Sequence, residues 1–382
     1  MLGDQGPGGG HDLVGVAAGV GPHRPTGRGG GVLGHRYSWR LINGVALHIV
    51  ANEKRRATPL VEWPPLRMDA TEMIVNLARK TVVVAGATGL QGRAVTHHLL
   101  RDGWHVRALT RNPNGPQADA LAQAGAEVIR AQMEDVDSLR AASEGAWGLF
   151  SVQPTVGSPR TAPDFTADDE VRWGVNVAEA AHAAGIGHFV FTSVAESDRH
   201  LTEKLPVNLV SKWRIERHVA ELGLPATILR PVSFMENFTG GYALRNGNLS
   251  TGLAPEIPQQ IMAVDDVGAV TALAFSRPKE WIGRAVSLAG DELTPVQIAA
   301  AIGKALGTPL PYVQIPIDAI RALSEDFAYA NEWLNTYGYR ADIPATRAIH
   351  PDTMDFGTWL ERTGASQIAA FLDPARTGGQ DA

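Results

Sequence analysis

Gly86, Gly89 and Gly92 stand at three-residue spacing directly after the β-branched run Thr81-Val-Val-Val-Ala85, and a helical pattern (Ala94, Val95, Leu99, Leu100) follows them. A strand that ends in such a turn and feeds a helix is what the pyrophosphate of a dinucleotide requires. Gly86 lets the chain turn sharply, Gly89 removes a Cβ where phosphate approaches, and Gly92 lets the helix pack closely on its strand. With Ala87, Thr88, Leu90 and Gln91 between them, these residues form a candidate pyrophosphate loop. A second cue ends the next strand-like run, His105-Val-Arg-Ala-Leu-Thr110. An NAD-selective site carries Asp or Glu about 20 residues past the glycines, where it bonds the ribose 2′-hydroxyl. Here the position reads Thr110-Arg111-Asn112-Pro113. Arg111 offers a planar cationic fork suited to a 2′-phosphate, so the pattern favours NADP(H) over NAD(H).

Positioning these residues takes alternating strands and helices. The sequence predicts strands at 80–85, 104–109, 126–130, 147–152, 187–192 and 226–230, with helices at 91–102, 116–124, 136–143, 167–184 and 208–222. Such alternation implies a parallel sheet with right-handed crossovers. Beyond Pro231 it degrades into a loop-rich region containing Gly240-Gly241 and Asn246-Gly247-Asn248. Asp265-Asp266 is then placed to cap a helix running through Phe275, and segments 285–289, 294–306 and 312–315 suggest a small α+β unit. Aromatic-rich helices carrying Phe327, Tyr329 and Trp333 are expected after it. The expected fold class is α/β: a doubly wound parallel Rossmann sheet with a smaller C-terminal α+β subdomain for substrate or partner. Residues 73–232 read as the NADP-binding domain, 233–365 as the C-terminal subdomain intermixed with the Rossmann core, and 366–382 as a tail.

Residues 1–72 differ in kind. Thirteen of the 41 glycines fall within residues 3–34, mixed with Pro, His and Arg and without a period. That composition buries too little apolar surface to offset chain entropy, so a disordered or non-native extension is expected, apart from the strand-like Val45–Val50. Over the whole chain of 382 residues, 44% hydrophobic and 19% charged residues are ordinary for a globular protein. A net charge of −6 leaves no electrostatic footprint for nucleic acid or an anionic membrane. Zero cysteines exclude disulfides, thiolate zinc sites and a Cys nucleophile. No apolar run reaches the roughly 18 residues of a membrane span, so the cytoplasm is the expected location.

Several motifs together resemble the NmrA-like branch of the atypical short-chain dehydrogenase/reductase superfamily. They are Gly86-Ala-Thr-Gly-Leu-Gln-Gly92, Val106-Arg-Ala-Leu-Thr-Arg-Asn-Pro113, Gly187-His-Phe-Val-Phe-Thr-Ser-Val194, Ser211-Lys212 and Ile228-Leu-Arg-Pro-Val-Ser-Phe-Met-Glu-Asn-Phe238. The similarity runs from about Lys80 to about residue 300 and extends toward 365. The resemblance implies a Rossmann fold binding NADP(H), with the adenosine phosphate at Arg111 and the pyrophosphate along Gly86–Gln91. It further implies contacts from Val152, Gln153 and Pro154, from Lys212, and from Phe234 to Asn237. Family members often carry Gly-Asp after the third strand; this chain has Ala131-Gln132, which leaves Gln132 and Met133 to line the adenine pocket.

The superfamily's usual reductases carry Tyr-x-x-x-Lys on one helix, the lysine holding the nicotinamide ribose and lowering the tyrosine pKa. Here Lys212 is present but the residue four before it is Asn208, and none of the six tyrosines lies between residues 38 and 241. Ser193 stands where the superfamily places its catalytic serine, so Lys212 and Ser193 are the candidate catalytic residues. Without the tyrosine, hydride can still pass to an acceptor that needs no dedicated proton donor in that step, such as a quinone. The resemblance thus leaves two functions open. One is an NADPH-dependent reductase of a small, flat hydrophobic substrate, with Lys212 orienting the cofactor and Ser193 polarising the substrate. The other is a catalytically silent redox sensor in which NADP(H) orders a loop, Gln153–Asp169, that binds a protein partner. No helix-turn-helix cue or basic stripe points to direct nucleic-acid contact. His97-His98 do not share a helix face, and His182 and His188 lack carboxylates at ligand spacing, so surface histidines and no metal are expected. Trp213 reads as a core residue.

Overall fold

The structure is a computed structural model that describes residues 41–42, 45–46, 80–156, 161–162, 164–240 and 243–372. The chain divides into two compact units, Met1–Leu66 and Arg67–Ala382. In the first, Leu41–Ile42 pairs antiparallel with Val45–Ala46. That pair takes up the start of the strand-like Val45–Val50; the rest of the expected N-terminal extension, and most of the 366–382 tail, lie outside the described residues.

In the second unit, strands and helices alternate as β1 (Thr81–Val84), α1 (Leu90–Arg101), β2 (His105–Thr110), α2 (Pro116–Gln123), β3 (Glu127–Arg130) and α3 (Val136–Ser143). They continue as β4 (Gly148–Ser151), α4 (Ala167–Ala183), β5 (His188–Thr192), α5 (Val207–Glu221) and β6 (Ala226–Pro231). All ten strands and helices expected through α5 hold their boundaries within one residue, because hydrophobic period and turn signals agree there. Central strands β4 and β5 are buried along their whole length, as interior parallel strands covered on both faces must be. α4 begins with a complete capping box between Thr166 and Asp169.

After β6 come β7 (Ser233–Phe234), β8 (Leu244–Arg245), β9 (Asn248–Thr251), β10 (Gln259–Met262), α6 (Val264–Ser276) and β11 (Ala285–Leu288). β12 (Asp291–Leu293), α7 (Pro295–Leu306), β13 (Tyr312–Gln314) and the aromatic helix α8 (Glu325–Thr336) follow. The central sheet has seven parallel strands in the order β11-β6-β5-β4-β1-β2-β3. This is the doubly wound Rossmann order, with its switch point between β1 and β4. Two three-stranded sheets, β12-β10-β7 and β8-β9-β13, build the C-terminal region around Met235, Ile261, Ile298, Phe356 and Trp359.

Three expectations need correction. Residues 285–289 were expected in the small α+β unit, yet β11 extends the main sheet beside β6, with Ala285 opposite Ile228. α6 likewise belongs to the main body: its Val267, Val270 and Phe275 share one core with Val95 and Leu99 of α1. Each side chain buried there contributes roughly 1.5–3 kcal/mol, which holds α6 on the Rossmann layer. Local pattern reveals a strand but not which sheet edge it will join. Asp265 and Asp266, expected to cap α6, instead occupy its first turn behind Ala263. The open Val264 N–H is taken by the carboxylate of Glu236, from the segment after β7.

Candidate functional site

The loop from β1 into α1 is fixed by two glycines. Gly86 has φ +79°, and a Cβ there would lie 2.8 Å from the Val152 carbonyl oxygen. A Cβ on Gly92 would fall 2.1 Å from the Gly86 oxygen. Gly89 is the N-cap of α1; no side chain caps it and no acid stands in the first turn, leaving the positive helix end to a ligand. The close approach at Gly86 brings the loop after β1 against Val152 after β4, with the Met133 methyl 3.7 Å from the same Cβ position. Three segments that the sequence assigned to one site therefore meet at the switch point.

On the β1–β3 side, Arg111 is exposed and forms no hydrogen bond or ion pair with a described residue. Gln132 is also exposed, its backbone N–H donating to Ser138 Oγ at 3.2 Å. The Met133 carbonyl accepts from Asn176 Nδ2 of α4 at 2.9 Å, which anchors the loop after β3. Phe234 packs partly buried against the main core and Asn237 is exposed in the turn Met235–Thr239.

The β4–β6 side is built from buried charge. Lys212, 5% exposed, places Nζ 2.5 Å from Oε1 of Glu170, which is 0% exposed. Glu170 Oε2 accepts the Val156 N–H at 3.1 Å. Beyond that carboxylate Lys212 Nζ has no hydrogen-bond partner among the described residues. Ser193 also meets a carboxylate: its hydroxyl donates to Oε1 of buried Glu216, as does Ser197 Oγ at 2.7 Å. A carboxylate only accepts, so the Ser193 hydrogen points at Glu216. Arg230 completes the cluster with bonds of 3.1 and 2.6 Å to Glu216 and 2.7 Å to Asp198. The substrate-polarising role expected of Ser193 therefore does not match its geometry. Trp213 is half-buried with its ring 4.9 Å from His200, outside the core clusters.

Sequence reading missed Glu170, Glu216 and Asn176. A signal existed: Glu170 lies on the stripe Gly174, Val177, Ala181 of α4, and Glu216 on the buried face of α5 with Leu209, Lys212 and Val219. A charge on an apolar stripe marks a buried pair. His188 is a further correction. It is buried, not a surface residue; Nε2 lies 2.8 Å from Thr227 Oγ1, and burial pushes the imidazole down to about 4. His98 is buried too, with Nε2 2.9 Å from Asp265 Oδ1, while His182 is exposed.

Whether these residues suit a dinucleotide can be tested on their unmatched polar atoms. Gln91 Oε1 after β1, Gln153 Oε1 after β4, Thr192 Oγ1 at the end of β5 and Lys212 Nζ in α5 are buried without hydrogen-bond partners. Similar atoms occur elsewhere, among them those of Thr96, Trp104, Ser143, Trp173, His188 and Trp333, but these four lie at or beyond the carboxyl ends of β1, β4 and β5, the side on which open α/β sheets bind ligands. Two of the four, the amide oxygens, accept, while the Thr192 hydroxyl and the Lys212 ammonium can donate, a mix that fits the hydroxyls and phosphates of an NAD(P) dinucleotide. The NmrA-like family model matches residues 78–371. The chain belongs to the NmrA-like family. Among its relatives is the NmrA-like family domain-containing oxidoreductase hkm9 of Aspergillus hancockii, 32% identical over 56% of this chain and 69% of that one. The structure of NmrA, a negative transcriptional regulator, in complex with NADP aligns with TM-score 0.61 at 23% identity, covering 80% of this chain and 99% of that one. NmrA has also been solved with NAD. The NADPH-dependent quinone oxidoreductase QOR2 of Escherichia coli, complexed with NADPH, aligns with TM-score 0.59 at 24% identity over 74% of this chain and 98% of that one. At these identities the structural likeness establishes the Rossmann fold, and family membership supports NAD(P) binding. Among the described residues no helix is long and apolar enough to cross a membrane.

Proposed function

We propose that this NmrA-like protein is an NADPH-dependent reductase of a flat, hydrophobic acceptor such as a quinone. The observation that carries the reading is that the two positions where a carbonyl reductase of this superfamily keeps its tyrosine and serine offer no free hydroxyl hydrogen. Asn208 occupies the position four before Lys212, and the Ser193 hydrogen is engaged by Glu216. Tyr312 and Tyr329 hold backbone carbonyls, of Leu253 and Lys204, with their hydroxyls. When bound, the reduced nicotinamide supplies a hydride; a quinone accepts it as an anion that takes its proton from water. The protein's part is placement. The glycine loop and the N-terminus of α1 receive the pyrophosphate, Arg111 the 2′-phosphate, Gln132 and Met133 the adenine, and Lys212 the nicotinamide ribose. Val152, Gln153, Phe234 and Asn237 border the reactive end, and Ser193 braces Glu216, which holds Arg230. Stopped-flow oxidation of NADPH by a quinone panel tests this, with acceleration by at least one acceptor expected.

A second reading is favoured by the same missing donor and by the regulatory role that NmrA's description gives that protein. In it the chain senses the NADP(H) balance without turnover and signals through a protein partner. The loop Gln153–Asp169 would be the element that responds; part of it lies outside the described residues. No acceleration by any acceptor, together with tight cofactor binding, is the outcome that favours this reading.

A further inference from the structure

Glu170 lies on the apolar stripe of α4, where a charged side chain is costly unless paired. One oxygen meets Lys212 of α5 at 2.5 Å and the other accepts the Val156 N–H at 3.1 Å, so a single carboxylate ties α4, α5 and the loop after β4 together. In a doubly wound fold the dinucleotide spans two mononucleotide halves across the switch point. Arg111 after β2 marks the adenosine half, and Glu170 and Lys212, on the helices after β4 and β5, therefore stand on the nicotinamide half. Charge matters there because the oxidised nicotinamide ring is cationic and the reduced ring is neutral. An isolated buried ammonium would repel the oxidised ring; an ammonium already paired with a carboxylate would not. The donors left on Lys212 suit neutral hydroxyls, such as those of a ribose.

We propose that Glu170 is the residue that sets the redox-state preference of this site: by neutralising Lys212 it lets NADP⁺ bind about as well as NADPH. The inference rests on the NADP(H) reading above. A readout independent of turnover tests it: dissociation constants of NADP⁺ and NADPH for wild type, Glu170→Gln, Lys212→Met and the double variant. E170Q leaves a net positive charge and should weaken NADP⁺ about tenfold more than NADPH. K212M leaves a net negative charge and should shift the ratio the opposite way. The double variant should return the ratio to that of wild type while weakening both forms. If E170Q does not fold, as circular dichroism will report, the direction of the K212M shift decides. Equal weakening of both oxidation states in every variant overturns the inference and leaves Glu170 with a structural role. Wild type that binds neither form overturns the cofactor reading and this inference with it.

Discussion

Lys212 and Glu216 sit four residues apart on one buried face of α5, yet their surroundings differ in kind. Glu216 is saturated: two serine hydroxyls and one edge of the Arg230 guanidinium, through Nε and Nη2, meet its oxygens, and Arg230 reaches on to Asp198 through Nη1. Lys212 meets a single carboxylate and has no other partner among the described residues. A fully satisfied buried network rigidifies a fold, whereas a half-satisfied one is costly to maintain unless something completes it. The contrast teaches that polar groups at the carboxyl edge divide by saturation into a closed framework and groups with bonding capacity to spare. A third carboxylate sharpens the point. Glu236 holds only neutral donors, the Val264 N–H and Trp359 Nε1–H, each at 3.1 Å, and burial pushes it up to about 7.

If the Glu216 network is framework, removing its centre has the largest effect. Glu216→Ala leaves the Arg230 guanidinium, 13% exposed, without its main partner. It should cost about 3–5 kcal/mol, read as a fall in unfolding midpoint, with the NADP⁺ to NADPH affinity ratio unchanged. A loss below about 1 kcal/mol would erase the distinction from Lys212. Glu236 adds a pH arm. Between about pH 4.5 and 7 the native carboxyl holds a proton that the unfolded chain has released, so stability falls as pH rises through that window, by about 3 kcal/mol in all. Glu236→Gln should remove this slope, and an unchanged difference between variant and wild type from pH 4.5 to 7 would refute it.

Smaller effects probe the binding surface itself. Gly92→Ala drives a Cβ against the Gly86 oxygen and must displace the loop, so cofactor affinity should drop about a hundredfold in a fluorescence titration. The smallest effect is expected at Ser193. With its hydrogen engaged by Glu216, Ser193→Ala should slow quinone reduction less than about tenfold, whereas loss of a general acid would cost 10²–10⁴. A deep rate loss would restore the polarising role to Ser193.

The Rossmann half was legible because each cue is local: the valines of β1, the glycine turn, the Thr166 cap and the apolar stripe of α5. The place of Arg111, directly after β2, was legible for the same reason, being set by its own strand. What escaped was everything decided by long-range docking. β11 pairs with β6 across 57 residues of chain, α6 is capped by Glu236 from 28 residues upstream, and Glu170 finds Lys212 across a helix–helix contact. His188 was misread for a related reason, since its burial depends on Trp147 and Phe275 closing over it.

The central claim, that the carboxyl edge of this sheet holds NADP(H), is tested most directly by titrating wild type and Arg111→Ala with NADPH and NADH. The account predicts saturable binding of NADPH by wild type, and in the variant a loss of roughly ten- to a hundredfold for NADPH with NADH unchanged, the worth of one charge-assisted contact. No binding by wild type, or equal loss for both cofactors in the variant, would contradict it.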